Sequence, residues 1–262
     1  MIHLVELGDP RRPGLVFFHG FLGSHRDFRE IAGRFSKDFH IILPDLPGHG
    51  KTPPPVENPF EAPHAFLKEL AGLLIQKHDS YRALVGYSMG GRLAQAFAIL
   101  FPGLFSSLVL ESTSPGIADA QERLDRKHAD QKIADRMKVV PLSVFLEEWY
   151  AQPLFADLAS DPIFLSETIA LRLSDGSSSY LAAALEWLSP GIQPSYWEQL
   201  GRFKWPTCLI AGERDKKYLD IMRRMKNLIP ASRMEVISGA GHNAHRKSPD
   251  SFSQVLREFI EP

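Results

Sequence analysis

At 262 residues, 44% of them hydrophobic and 23% charged, the chain suits one α/β domain carrying an insertion and is too rich in core formers to be disordered. A formal net charge of −1, with no dense Lys/Arg run, excludes nucleic-acid and anionic-membrane partners, because both need a concentrated basic field. Its single cysteine, Cys208, lies in the apolar run from Pro206 to Ile210. That excludes a disulfide framework and a Cys-based metal site and reads as a buried, inert thiol.

Short apolar runs alternate with amphipathic stretches in the first third. Gly14 to Phe18, Ile41 to Leu43 and Ala83 to Val85 have the length and composition of buried parallel strands. Between them, Phe28, Ile31, Ala32 and Phe35 share one helical face, and Phe66, Leu67, Leu70, Leu73 and Leu74 share another. Thr52 to Pro55 reads as a rigid surface loop. Leu93 to Leu100 reads as a buried helix and Ser107 to Leu110 as the next strand, so the pattern is βαβα with right-handed crossovers.

From about Thr113 to Phe203 no short apolar strand is visible. Helical patterns cover Gln121 to Lys138, Val144 to Tyr150, Ile163 to Leu173 and Ser179 to Leu188, with breaks at Pro141, Pro153, Pro162 and Pro190. Strands return at Thr207 to Ala211 and Met234 to Ile237 around a helix from Tyr218 to Leu228, and Ser251 to Ile260 closes as a helix. The expected organisation is a discontinuous core, residues 1–112 and 204–262, with a helical cap inserted at 113–203. No window approaches ~18 continuous apolar residues and no basic patch leads an apolar segment at the N-terminus, so the expected setting is the cytoplasm.

Gly86-Tyr87-Ser88-Met89-Gly90 follows an apolar run and opens a helix, the context of a nucleophile elbow, where small flanking residues admit a sharp strand-to-helix turn. A serine hydroxyl needs a histidine to take its proton, and the histidine needs an acceptor to fix its tautomer. Asp215 follows the strand from Thr207, and His242 follows the strand from Met234. Ser88, Asp215 and His242 therefore stand at strand carboxyl ends, where open α/β sheets gather their ligands. Glu213 competes with Asp215 and His245 with His242; His245 could instead line the entrance or cap the next helix. The backbone N–H groups of Phe21 and Met89 are the expected oxyanion donors. His19 reads as structural and Asp45 as a loop organiser, its place before the serine being wrong for the triad acid.

With these motifs the chain resembles the α/β-hydrolase superfamily. Gly86 to Arg92, Trp149 to Phe155, Gly212 to Asp215 and Gly241 to Arg246 together are similar to the 2-succinyl-6-hydroxy-2,4-cyclohexadiene-1-carboxylate synthases of menaquinone biosynthesis. The resemblance implies a mostly parallel sheet flanked by helices. It also implies loss of pyruvate from a polycarboxylate substrate, without cofactor or metal, by a monomer whose triad works as a general base. Substrate contacts are then expected from Tyr87, Arg92, Arg126, Trp149 and Arg172, with Arg126 and Arg172 gripping carboxylates bidentately; Arg123 is a further cap candidate. The rival activity is hydrolysis of an ester or C–C bond by the same three residues.

Overall fold

The computed structural model describes residues 1–54 and 62–261. In chain order, β1 (Leu4–Leu7), β2 (Gly14–Phe18), α1 (Arg29–Phe35), β3 (His40–Pro44), α2 (Ala62–Ile75), β4 (Tyr81–Tyr87), α3 (Met89–Leu100) and β5 (Leu108–Glu111) form the first part. The helices α4 (Ala120–Val139), α5 (Leu142–Tyr150), α6 (Ala156–Ala159), α7 (Pro162–Asp175) and α8 (Ser178–Leu188) follow. Then come β6 (Thr207–Gly212), α9 (Lys216–Leu228), β7 (Ser232–Ile237), α10 (Ala244–Lys247) and α11 (Pro249–Ile260).

The strands make a seven-stranded sheet in the order β1-β3-β2-β4-β5-β6-β7, parallel except for β1. Every residue of β2, β3, β5 and β6 is buried, because helices cover both faces, and so these strands read as continuous apolar runs. One face carries Val16, Phe18, Leu84, Leu93, Phe97 and Met222 in its cluster, the other Leu15, Phe17, Phe28, Val85, Ile210 and Phe252. The edge strand β1 was not anticipated. It is short, only partly buried and carries Glu6, whose carboxylate binds His40 and Lys77, a charged guard on an open edge.

The helices between β5 and β6 have an apolar cluster of their own, including Met137, Phe145, Leu146, Phe155 and Leu185. Pro162 starts a helix rather than interrupting one: it occupies the first turn of α7, where its missing N–H costs nothing, and Asp161 caps that turn. After α8 the chain returns to the sheet layer before residue 204, since Leu200 and Phe203 pack in the first core cluster. In the loop from Thr52, Pro53 is exposed and Pro54 half-buried, while Thr52 itself is buried, its Oγ1 accepting the His3 N–H at 2.9 Å; Pro55, the end of that stretch, lies outside the described residues. Among the described residues no helix is long and apolar enough to cross a membrane.

Candidate active site

Three strand ends build the site. Ser88 sits between β4 and α3 with φ 51° and ψ −111°, a backbone conformation that a side chain rarely adopts. The turn is this tight because α3 packs directly on β2: a Cβ on Gly90 would lie 2.3 Å from the carbonyl oxygens of Phe18 and His19. His242 follows β7, and its Nε2 is 3.1 Å from Ser88 Oγ. Its Nδ1 is 2.7 Å from Asp215 Oδ2, beyond β6. Both Asp215 and His242 are buried, and Ser88 is half-buried.

The competing candidates are engaged elsewhere. Glu213 is exposed and accepts from Ser238 Oγ and the Gly239 N–H, stapling the loop before His242. His245 is wholly buried within α10, its Nδ1 2.7 Å from Glu111 Oε2, so it does not line an entrance. Asp45 accepts the backbone N–H groups of His25 and Lys51 and the rings of His3 and His25. His3, His25 and Asp45 are the only described group that brings three ligand atoms within 4.8 Å of one another, and Asp45 spends both oxygens on the loop it organises. His19 Nε2 accepts the Leu46 N–H, in the same network.

A cavity of about 420 Å³ opens over Ser88 and His242. Phe21, Tyr87, Met89, Arg92, Arg126, Trp149 and Arg172 all line it, as does Asn243, which the sequence reading missed. Among the described residues the N–H groups of Phe21 and Met89 have no recorded protein acceptor, which leaves both free. Tyr87 Oη donates to Asn243 Oδ1, and burial pushes its phenol well above the usual range, so it stays neutral. Trp149 packs edge-on to Phe21 at 5.3 Å.

The cations differ in their anchorage. Arg92 donates from Nε to Gln193 and from Nη2 to the Leu188 carbonyl, both at 2.8 Å, and burial lowers its pKa to about 10, so it remains charged at neutral pH. Arg126 donates from Nε to Asp130 at 2.8 Å. Arg172 is a correction to expectation: its fork grips Asp27, not open space, with Nη2 3.0 Å from Asp27 Oδ2 and Nε 3.2 Å from Tyr150 Oη. Burial opposes its charge, but the adjacent Asp27 carboxylate outweighs that and holds it protonated. Two of its five N–H groups remain for a ligand. Arg123 lines neither this cavity nor the one beside it.

The helices between β5 and β6 also reach the histidine loop. Asp157 Oδ2 accepts the Gly241 N–H at 2.7 Å, and a Cβ on Gly241 would strike that carboxylate at 2.3 Å, which is why the residue before His242 has no side chain. Nothing in the sequence links Asp157 or Asp27 to the site; both contacts join segments far apart in the chain.

A parallel sheet with a nucleophile elbow, an acid and a histidine at successive strand ends defines an α/β hydrolase. The family model described as alpha/beta hydrolase fold matches residues 13–249. The 2-succinyl-6-hydroxy-2,4-cyclohexadiene-1-carboxylate synthase of Escherichia coli O1:K1 / APEC is 35% identical over 258 residues, covering 95% of this chain and 96% of that protein. The synthase of the same name from Salmonella paratyphi B (strain ATCC BAA-1250 / SPB7) is 34% identical over 263 residues, with 98% and 99% coverage. The structure of MenH from S. aureus superposes with a TM-score of 0.89 at 33% identity, covering 99% of this chain and 97% of that one. A thermophilic esterase from Thermogutta terrifontis, with malate bound, reaches 0.85 at 24% identity over 99% and 92%, a likeness of fold alone. The chain belongs to the α/β hydrolase fold family and, at this identity over nearly its full length, to the 2-succinyl-6-hydroxy-2,4-cyclohexadiene-1-carboxylate synthases within it.

Proposed function

We propose that the chain is a carbon–oxygen lyase of menaquinone biosynthesis that eliminates pyruvate from 2-succinyl-5-enolpyruvyl-6-hydroxy-3-cyclohexene-1-carboxylate. The observation that carries this reading is a cavity over Ser88 walled by three guanidinium groups, Arg92, Arg126 and Arg172. Asp27 and Asp130 already meet Arg172 and Arg126, but Arg92 is buried against neutral acceptors alone, an arrangement that is costly unless an anion meets it, so the wall suits a carboxylate-bearing substrate better than a neutral ester. The activity for which the relatives are named points the same way.

In this reading Ser88, His242 and Asp215 act as a base. His242 draws the Ser88 proton, Asp215 stabilises the imidazolium, and Ser88 Oγ takes the proton α to the succinyl ketone. The N–H groups of Phe21 and Met89 hold the oxygen of the developing enolate. Its electron pair returns through the ring to form the conjugated diene while the ring C–O bond breaks, and the departing enolpyruvate takes up a proton as pyruvate. No acyl-enzyme forms. Arg92, Arg126 and the free N–H groups of Arg172 hold carboxylates, Tyr87 and Trp149 frame the ring, and the helices of 113–203 act as a cap domain on the core of 1–112 and 204–262. The protein works in the cytoplasm as a monomer, without a nucleic-acid or membrane partner.

The test is a direct assay of pyruvate by a lactate dehydrogenase couple, with diene absorbance followed in parallel, beside a panel of nitrophenyl esters. Equal amounts of pyruvate and diene are expected, with no adduct on Ser88 by intact mass. Esters outcompeting the enolpyruvyl substrate in kcat/KM, or a substrate-derived adduct on Ser88, would replace the lyase by a hydrolase.

A further inference from the structure

A second cavity, of about 460 Å³, adjoins the first. Arg92, Arg126, Pro190, Lys217 and Tyr218 line both, so the partition between them is made largely of side chains. On the far wall the Arg224 guanidinium lies over the Trp197 ring, 4.5 Å from its centre. The acids on this lining are Asp119 and Glu122, and the Asp119 carboxylate is turned onto its own helix, accepting the Glu122 N–H at 2.8 Å.

The cations here are held differently from those of the inner cavity. Arg126 and Arg172 each have an acid partner, Asp130 and Asp27. Among the described residues Lys217 and Arg224, both on α9, have no carboxylate within 4.0 Å. Both are exposed. Unspent positive charge on the wall of a concave passage concentrates anions there and speeds their arrival.

We propose that the second cavity is an anteroom for carboxylate-bearing ligands, in which Lys217 and Arg224 receive the substrate and pass it to Arg92 and Arg126 beside Ser88. The inference rests on the polycarboxylate substrate proposed above. Neither residue takes part in proton transfer; their contribution is to capture.

The experiment compares wild type with Lys217→Gln and Arg224→Gln, checked for fold by circular dichroism, in the pyruvate-release assay at low and high KCl. At low salt kcat/KM is expected to fall roughly 3- to 10-fold in each variant, with a shallower decline on adding KCl, because less charge remains to be screened. Raised KM rather than lowered kcat should carry the effect, and Arg224→Lys should restore most of it. Inhibition by added pyruvate separates the two sources of carboxylate: weaker inhibition in the variants marks the cavity as the leaving group's way out as well. Unchanged kcat/KM, salt dependence and pyruvate inhibition in both variants would overturn the anteroom, as would a fall confined to kcat. A wild type that releases no pyruvate would instead sink the proposed function itself.

Discussion

The two walls of the inner cavity are built on different plans. On the sheet side, Ser88, Asp215 and His242 hang from the ends of β4, β6 and β7, and the strand ends set their spacing, with the Glu213 and Asp157 carboxylates fastening the loop before His242. On the facing side each guanidinium is aimed by a side-chain or carbonyl partner: Arg172, on α7, by Asp27 and Tyr150; Arg126 by Asp130 on its own helix α4; and Arg92, on α3, by Gln193 and the Leu188 carbonyl. Chemistry that must be placed to within tenths of an ångström sits on the rigid sheet. Recognition sits on helices that pair with it through side chains. Variants on the sheet side should therefore damage turnover and leave the fold intact, whereas variants on the facing side should mix binding with stability.

The largest effect is expected on the sheet side. Ser88→Ala, His242→Ala and Asp215→Asn should each lower kcat by roughly 10³- to 10⁶-fold, and double variants should be little worse than the worst single one, because the three act as a unit. Steady-state pyruvate release together with circular dichroism measures both halves of this claim. Glu213→Gln should change kcat only a few-fold, since its carboxylate is exposed and bound to the loop at Ser238 and Gly239. Damage equal to that of Asp215→Asn would move the acid's role to Glu213.

Next comes the cap's buried pair. Arg172→Ala leaves the Asp27 carboxylate unpaired in the interior, with an expected loss of about 3–5 kcal/mol in urea unfolding. The double change Asp27→Leu with Arg172→Met should regain most of that stability without regaining activity, since packed apolar groups can replace a buried ion pair but bind no carboxylate. Recovery of both would mean that Arg172 serves the fold alone. Arg126→Ala should act on a smaller scale. Its head is half-exposed, but Asp130 is buried and keeps only its bond from Ser189 Oγ, so the loss of stability should be smaller than at Arg172, about 1–3 kcal/mol. Meanwhile kcat/KM should drop by about 2–3 kcal/mol equivalent, with lysine a partial substitute.

The same division explains what the sequence disclosed. The elbow, the acid and the histidine are each written in a few adjacent residues, after runs whose length and β-branched or aromatic content mark buried strands, so they were legible in order and position. The edges of α4, α5, α7 and α8 were legible to within about two residues, whereas the one-turn α6 was not read. Strand β1 was not, because four half-exposed residues carry no distinctive pattern and its antiparallel pairing depends on β3. Tyr87, Arg92, Arg126, Trp149 and Arg172 were nameable from resemblance, but nothing local shows that Asp27, 145 positions away, already grips Arg172. Lys217 stands two residues after Asp215, in plain view. Its place on the wall of two cavities comes from α9 facing α4 across the second of them, which no local pattern encodes.

The smallest predicted effect concerns acid, and it tests how the sheet side is held. His49 is buried; its Nδ1 donates to the Pro47 carbonyl and its Nε2 accepts the Leu22 N–H at 3.2 Å, just beyond Phe21, the proposed oxyanion donor. Protonating Nε2 would remove that acceptor and bury a cation. Burial, with His19 and Arg172 adding repulsion and Asp45 opposing it, lowers its pKa to about 3 against an ordinary 6.5. Burial lowers His19 as well. Because the unfolded chain takes up these protons below pH 6.5 and the fold does not, the stabilisation is complete above 6.5 and is lost as pH falls toward 3, by up to about 1.4 kcal/mol per pH unit for each histidine. Between pH 6.5 and about 5.5 ordinary carboxylates are still largely ionised, so urea midpoints measured there report chiefly on histidines. His49→Gln, whose amide oxygen can still accept the Leu22 N–H, should show a shallower loss across that window, by about 1 kcal/mol at about pH 5.5. An unchanged slope would mean that His49 takes its proton within the fold, and the loop carrying Phe21 would then have to be held by something other than a neutral imidazole.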